Sequence, residues 1–516
     1  MQQFLSRFGH LVAGVLNGFD RLVFHGYLRR LCYAQGLEGF LAFRNILRKD
    51  FGDFAEDATR LAREASLQDA IERGVPVHHL TSSSVSKEAL ARQYQRQRGV
   101  ESGPVCVITA VEPCSIWHVH RSREKKRILF ERRQGRCQHI YHYSSHPEFG
   151  LMHVRLQTWM PYDIQVYVNG REWLARQLRR DGIRYTKDDN CFPWIEDVPR
   201  AQQLMDGFTR LPWQSLLDGM AQAVHPALPQ ILGGFKVPYF WTAHQSEWAT
   251  DVMFKDPADL TRLMPAIVRH CMDNLHSDDV FRFLGKKLTG NFQGEILTKF
   301  RRRHEGICVK CFAERNSLKL YQKLLWLLRV ETTINFPKFF PVMRRAEGQG
   351  PRSKRCRPMR KGIADLQLRA NVSQATNKRC LDNVATIADP TPVKDLVDTI
   401  ARPVDFAGRR VRAIQPWSQG DLELLTAVAR GEFLAHGFRN RDLVNHLFAK
   451  PAANDADRKR RSAQISRKLR LLRAHGIVQK VEHSHRYLVT KRGAAIIAAI
   501  LAVRDTPLAA LKQAAA

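Results

Sequence analysis

Residues 105–112, VCVITAVE, and 115–122, SIWHVHRS, mark the point where the chain changes its period. Upstream, apolar residues recur every three or four positions, as they do along one face of a helix. Here β-branched and aromatic residues take over and alternate with polar ones, the mark of strands. The alternation returns in RILFERR (127–133), HIYHYSS (139–145), MHVRLQTW (152–159) and DIQVYVNG (163–170), each set off by turn residues. Joins this short favour antiparallel neighbours, because parallel strands need a long crossover. The stretch predicts an antiparallel meander, and the fold class is α+β.

Working outward from it, the chain after Asp20 reads as mainly helical, and the serine cluster TSSSVS (81–86) starts a basic helix, KEALARQYQRQRG (87–99). Downstream, REWLARQLRRDG (171–182) returns to helical spacing, as do residues 201–224 and 259–275. A second β section comprises VPYFWTAHQSEWATDVMF (237–254), a hairpin in GICVKCFAERNSLKLYQK (306–323) and the strand WLLRVETTIN (326–335). Residues 344–361, RRAEGQGPRSKRCRPMRK, are rich in Lys, Arg, Gly and Pro and predict a basic linker. The expected organisation is a helical region (1–100), an α+β body with an antiparallel sheet (101–340), a basic linker and connector (341–415) and a C-terminal domain (416–516).

Lys and Arg number 82 against 50 acids, a net charge of +32 over 516 residues. The usual counter-surface for such an excess is a polyanion, so nucleic acid is the expected partner, DNA first and RNA also open. No apolar run reaches the ~18 residues of a membrane span, so no membrane partner is expected. Ten Cys spread over the chain are too sparse for a disulfide scaffold. The N-terminus lacks a basic leader and a small-residue cleavage site, and the expected location is the cytoplasm, at the nucleoid. There is no GxxxxGK[ST] phosphate loop.

The stretch SAQISRKLRLLRAHGIVQKVEHSHRYLVTKRG (462–493) supplies an address for that charge. Ile465, Leu469 and Leu472 share one helix face, which leaves Arg461, Gln464, Arg467, Lys468 and Arg470 on the others. Gly476 ends the helix, and IVQKVEH and HRYLVT can pair as a ribbon around Ser484. With helices expected over Asp421–Arg430 and Asn440–Phe448, the order resembles a winged helix-turn-helix of the MarR-like kind, over roughly Trp417–Leu511. The resemblance implies that Gln464, Arg467 and Lys468 approach base edges or phosphates and that His483, His485 and Arg486 lie on the wing. In the linker, Arg352, Lys354, Arg355 and Arg357 form a candidate phosphate-gripping arm.

Four acids stand in apolar, strand-like runs: Asp20 in GFDRLVF, Glu112 in VCVITAVE, Asp251 in EWATDVMF and Glu331 in LLRVETTIN. A buried carboxylate costs several kcal/mol unless it is paired or bound to a metal. Carboxylates from separate strands can hold Mg²⁺ or Mn²⁺ for phosphodiester hydrolysis or strand transfer, so these four are the candidate catalytic and metal-binding residues. A competing site is the H-x-H of His118 and His120, with Tyr321 as nucleophile, which resembles the HUH endonucleases. Cys308 and Cys311 form a lone CxxC, and Cys137, His139, His142 and His146 a local cluster that fits no standard zinc module. The sequence thus supports a nuclease or transposase of mobile-element type. Its rivals are a non-enzymatic DNA-binding regulator and an RNA-binding protein.

Overall fold

The computed structural model describes residues 1–82, 84–124, 127–275, 277–286, 296–303, 306–345, 355–388, 393–430, 433, 437–448, 450–481 and 484–506. The strands of its main sheet begin with β1 (Val12–Leu28), β2 (Val77–Leu80), β3 (Gly103–Ser122), β4 (Arg127–His146), β5 (Gly150–Gln157) and β6 (Ile164–Asn169). After a small hairpin, β7 (Tyr185–Asp188) and β8 (Cys191–Ile195), come β9 (Tyr239–Phe254), β10 (Ile296–Arg303), β11 (Gly306–Ala313), β12 (Asn316–Lys323) and β13 (Leu327–Ile334). Eleven of these strands form one sheet in the order β10-β11-β12-β13-β9-β1-β6-β5-β4-β3-β2. Every pairing is antiparallel except β2 with β3.

The α+β class and the antiparallel meander hold. Two boundaries change. VCVITAVE and SIWHVHRS are one twenty-residue strand, β3, which runs straight through Pro113, and RILFERR and HIYHYSS are one strand, β4, which crosses Gly135. The interruptions read as turns are tolerated because the β3–β4 ladder continues on both sides of them. The N-terminal region is not a separate helical unit either. Its helices Ala34–Phe43 and Phe51–Glu72 are present, but β1 sits in the middle of the sheet, between β6 and β9.

Apolar side chains of β1, β5 and β6 share one core with helices that include Gly170–Arg180, Val198–Gly207 and Trp213–Val224. Those of β9 and β11–β13 share another with helices Pro257–Asn274 and Leu366–Val384. The last of these helices falls where a loose connector was expected. It is a nineteen-residue element whose Arg369, Ser373, Thr376 and Asn377 are buried against the sheet. Its low apolar content disguised it: the buried face bonds instead of greasing. Asn377 Nδ2 donates to the carbonyls of Trp248 and Val330 and to Thr250 Oγ1, while its Oδ1 accepts from Thr332 Oγ1 at 2.6 Å. Part of the expected basic linker is likewise ordered, as a hairpin of β14 (Pro341–Arg344) with β15 (Arg355–Pro358).

A third core, from Ile400 to Ile500, belongs to the C-terminal region alone. It comprises helix Gln419–Val428, strand β18 (Phe438–Arg439), helices Asn440–Leu447 and Asp455–Ala474, strands β19 (Val478–Lys480) and β20 (Arg486–Val489), and helix Lys491–Asp505. A small hairpin, β16 (Val404–Phe406) with β17 (Arg409–Val411), precedes them. β18, β20 and β19 pair in that order as a small antiparallel sheet. No helix among the described residues is long and apolar enough to cross a membrane.

Candidate active site

Asp20 sits at an irregularity in β1. Phe19 faces Trp248 of β9 and Arg21 faces Glu247, so Asp20 is an extra residue with no partner across the ladder. A bulge of this kind bends a strand and re-aims a side chain. The chain leaves β6 at Asn169, whose Oδ1 caps the next helix by accepting from the amides of Arg171 and Glu172 at 2.8 and 3.0 Å. Gly170 permits this turn to close on the bulge, since a Cβ there would stand 2.0 Å from the Phe19 carbonyl oxygen. Arg171 is thereby carried beneath the sheet.

Alternation then places Glu247 and Asp251 of β9 on one side of their strand, and Arg329 and Glu331 of β13 on the same side of theirs. Carboxylate oxygens of Asp20, Glu247 and Glu331 all lie within 4.8 Å of one another. The three residues are 1%, 7% and 3% exposed. Glu247 was not singled out from sequence, although it stands two alternations before Asp251 in the quoted strand. That offset was the available signal.

Asp251 does a different job. Arg329 grips it with Nε on Oδ1 and Nη2 on Oδ2 (2.9 Å), and Arg171 Nη2 donates to Oδ2 at 2.9 Å. Burial works to raise its pKa, and the two guanidiniums overcome that and hold it below the ordinary carboxylate value. Arg329 also reaches Asp20 Oδ2 at 3.3 Å, and Asn190, in the β7–β8 turn, donates to the same oxygen. Lys323 pins that turn through Asp189 at 3.0 Å. The other oxygen, Asp20 Oδ1, is buried with no hydrogen-bond partner. Burial, aided by Glu331 and Asp251, pushes the Asp20 pKa up to about 6 against the pull of Arg329 and Arg171.

At Glu331, burial works upward, but Lys319, Arg329 and Tyr321 hold the carboxyl below its usual value. Tyr321 donates its hydroxyl to Oε2 at 3.1 Å and Lys319 binds Oε1. Glu247 has Arg21 at 3.4 Å and the Gln245 amide at 3.3 Å. Asp20, with one orphaned oxygen, fits a divalent cation together with the two further carboxylates. Such an ion takes oxygen ligands and would satisfy an acceptor that no protein donor reaches.

A row of cations approaches this group across the strands. Lys299 of β10 stands opposite Lys310 of β11, Lys310 opposite Lys319 of β12, and Lys319 opposite Glu331 of β13. Like charges placed directly across a ladder oppose folding. At ~4.8 Å per strand, the distance from Lys299 to Glu331 is roughly 14 Å. All three lysines are half-buried, and repulsion adds to burial in lowering the pKa of Lys310.

The remaining sequence candidates lie elsewhere. Glu112 is not brought to the other acids: it sits on β3, beyond β6, β5 and β4 from Asp20, with Lys87 at 2.7 Å and the Tyr141 hydroxyl at 2.5 Å. His118 and His120 also lie on β3, their rings stacked with centroids 6.0 Å apart, while Tyr321 lies on β12 towards the other edge and bonds Glu331. The histidines and the tyrosine do not converge. Cys308 and Cys311 take opposite faces of β11, as alternation required.

On helix Asp455–Ala474, Gln464 and Arg467 are exposed and Lys468 and Arg470 half-buried. Arg461 is tied to Asp457 at 2.7 Å and to the Lys450 carbonyl at 2.5 Å, so it serves the domain's own structure. His485 is exposed, Arg486 is in β20, and His483 lies outside the described residues. Arg355 and Arg357 are on β15, whereas Arg352 and Lys354 lie outside the described residues. Compared with known protein families, curated proteins and solved structures, the chain matches none.

Proposed function

We propose that this protein is a nucleic-acid-processing enzyme of the nuclease or transposase type, with Asp20, Glu247 and Glu331 as its metal-binding carboxylates. The observation that carries the reading is the meeting of three buried carboxylates from neighbouring strands within 4.8 Å, one with an unpartnered oxygen, in a chain of net charge +32. Mg²⁺ or Mn²⁺ bound there would supply charge stabilisation at a phosphodiester's oxygens. The chain's own residues do the rest. Lys319, Lys310 and Lys299 draw the phosphate backbone toward Glu331, Arg21 flanks Glu247, and Tyr321 fixes the rotamer of Glu331. Asp251, Arg329 and Arg171 position Asp20 from below.

The C-terminal region supports a winged-helix reading through its order of helix, strand, two helices, ribbon and helix. In that reading Gln464 and Arg467 face the DNA, Lys468 and Arg470 flank them, and His485 and Arg486 sit on the wing. The test is cleavage or joining of DNA and RNA by the full-length protein with Mg²⁺ or Mn²⁺, alongside the variants Asp20→Asn and Glu331→Gln. Activity lost in both, with Mn²⁺ binding lost in parallel, supports the proposal. Activity unchanged in both overturns it.

One observation favours a non-catalytic binding protein instead: each acid of the group has a cationic neighbour, which also suits a purely structural cluster. That reading predicts salt-sensitive nucleic-acid binding with no turnover and no Mn²⁺ uptake.

A further inference from the structure

A second constellation lies on the β3–β4 ribbon, well apart from the carboxylates. Cys137 and His139 are two residues apart on β4 and share one side of the strand. Cys137 faces Glu112 and Gly135 faces Cys114, so the two cysteines are diagonal neighbours. Their sulfurs lie 3.2 Å apart. One ligand atom from each of Cys114, Cys137 and His139 falls within a 4.8 Å sphere of mutual distances. His139 is 1% exposed, and its Nδ1 is buried with no hydrogen-bond partner.

We infer that Cys114, Cys137 and His139 form a binding site for a thiophilic divalent cation, Zn²⁺, with a fourth position open to water or another donor. Sulfur and imidazole donors in tetrahedral reach are the set zinc selects over the hard cations that suit the carboxylate site. A disulfide between the same cysteines would account for the short sulfur–sulfur distance but not for the imidazole nitrogen beside them; a cation engages all three groups. The scaffold is stiff. Thr158 donates both its amide (3.2 Å) and its hydroxyl (2.8 Å) to the carbonyl of Gln138, the residue between the two β4 ligands. Gln157 ties the Ser115 carbonyl, next to Cys114, to that of Trp159.

The test is elemental analysis of the full-length protein, purified without affinity tag or chelator, followed by exchange of Zn²⁺ for Co²⁺. Stoichiometric zinc and a thiolate-to-cobalt absorption band are expected. Both should survive in Cys356→Ser, whose thiol is exposed, and in Asp20→Asn, and both should fall at least tenfold in Cys137→Ser. Should Cys137→Ser fail to fold, the wild-type cobalt spectrum and its loss to chelator decide alone. A zinc-free wild type that develops no cobalt band overturns the inference, as does a Cys114–Cys137 disulfide in the purified protein under non-reducing mass spectrometry.

Discussion

At the scale of single residues, Asp20 is the informative one. Its folded pKa of about 6 lies above the ordinary 3.8, so the folded state holds the proton more tightly than the unfolded chain. The stability this confers is complete below the unfolded value and drains away as pH climbs through about 6. A shift of this size corresponds to about 3 kcal/mol. In chelating buffer at pH 7, Asp20→Asn should therefore be more stable than wild type by an amount of that order, read by urea unfolding. The gap should close below pH ~4. The amide would still accept from Arg329 and Asn190, and could donate toward Glu247 or Glu331. The same variant should lose Mn²⁺ binding and cleavage, so stability and activity move in opposite directions. Arg329→Met tests the neighbouring pair: it strands Asp251 against a single arginine and should cost about 4 kcal/mol in the same assay.

At the scale of elements, helix Leu366–Val384 shows what a polar sequence conceals. Asn377 clasps β9 to β13, the two strands that carry Glu247 and Glu331. Asn377→Ala would leave Thr332 Oγ1 and the carbonyls of Trp248 and Val330 short of partners, and should cost about 3 kcal/mol. A lowered melting temperature accompanied by loss of activity would show that the clasp serves the site. The helix escaped notice because periodicity counts apolar residues, and this one buries Arg369, Thr376 and Asn377. The strands were legible for the converse reason: in β5, β6, β12 and β13 apolar residues recur at alternate positions on one face. Asp20, Asp251 and Glu331 were visible as acids in apolar runs. That Glu247 joins them and Glu112 does not depends on strand order, and a local pattern carries no information about strand order. The bulge at Asp20 is equally silent, since Asp20 itself is neither glycine nor proline and β1 carries glycines at regular ladder positions too.

At the scale of the whole molecule, charge is the argument. Binding to nucleic acid should weaken steeply with salt, and each phosphate neutralised contributes roughly 0.9 to the log–log slope on duplex DNA. Lys310→Ala should reduce that slope by about one such unit while leaving the fold intact, because it relieves repulsion in its row. Gln464→Ala with Arg467→Ala should instead narrow the difference between preferred and random sequences, measured by competition binding. A Lys310 variant with an unchanged slope would remove the lysine row from the binding surface.

The central position of β1 has one more consequence, which concerns time. During synthesis β1 leaves the ribosome ahead of the other strands of its sheet, yet its partner β9 follows more than two hundred residues later, and the Arg329 that reaches Asp20 lies 309 residues downstream. Contacts of such sequence separation are slow to close. Until β9 emerges, the apolar residues of β1 lack that partner strand. The carboxylate group of Asp20, Glu247 and Glu331 can assemble only as β13 docks.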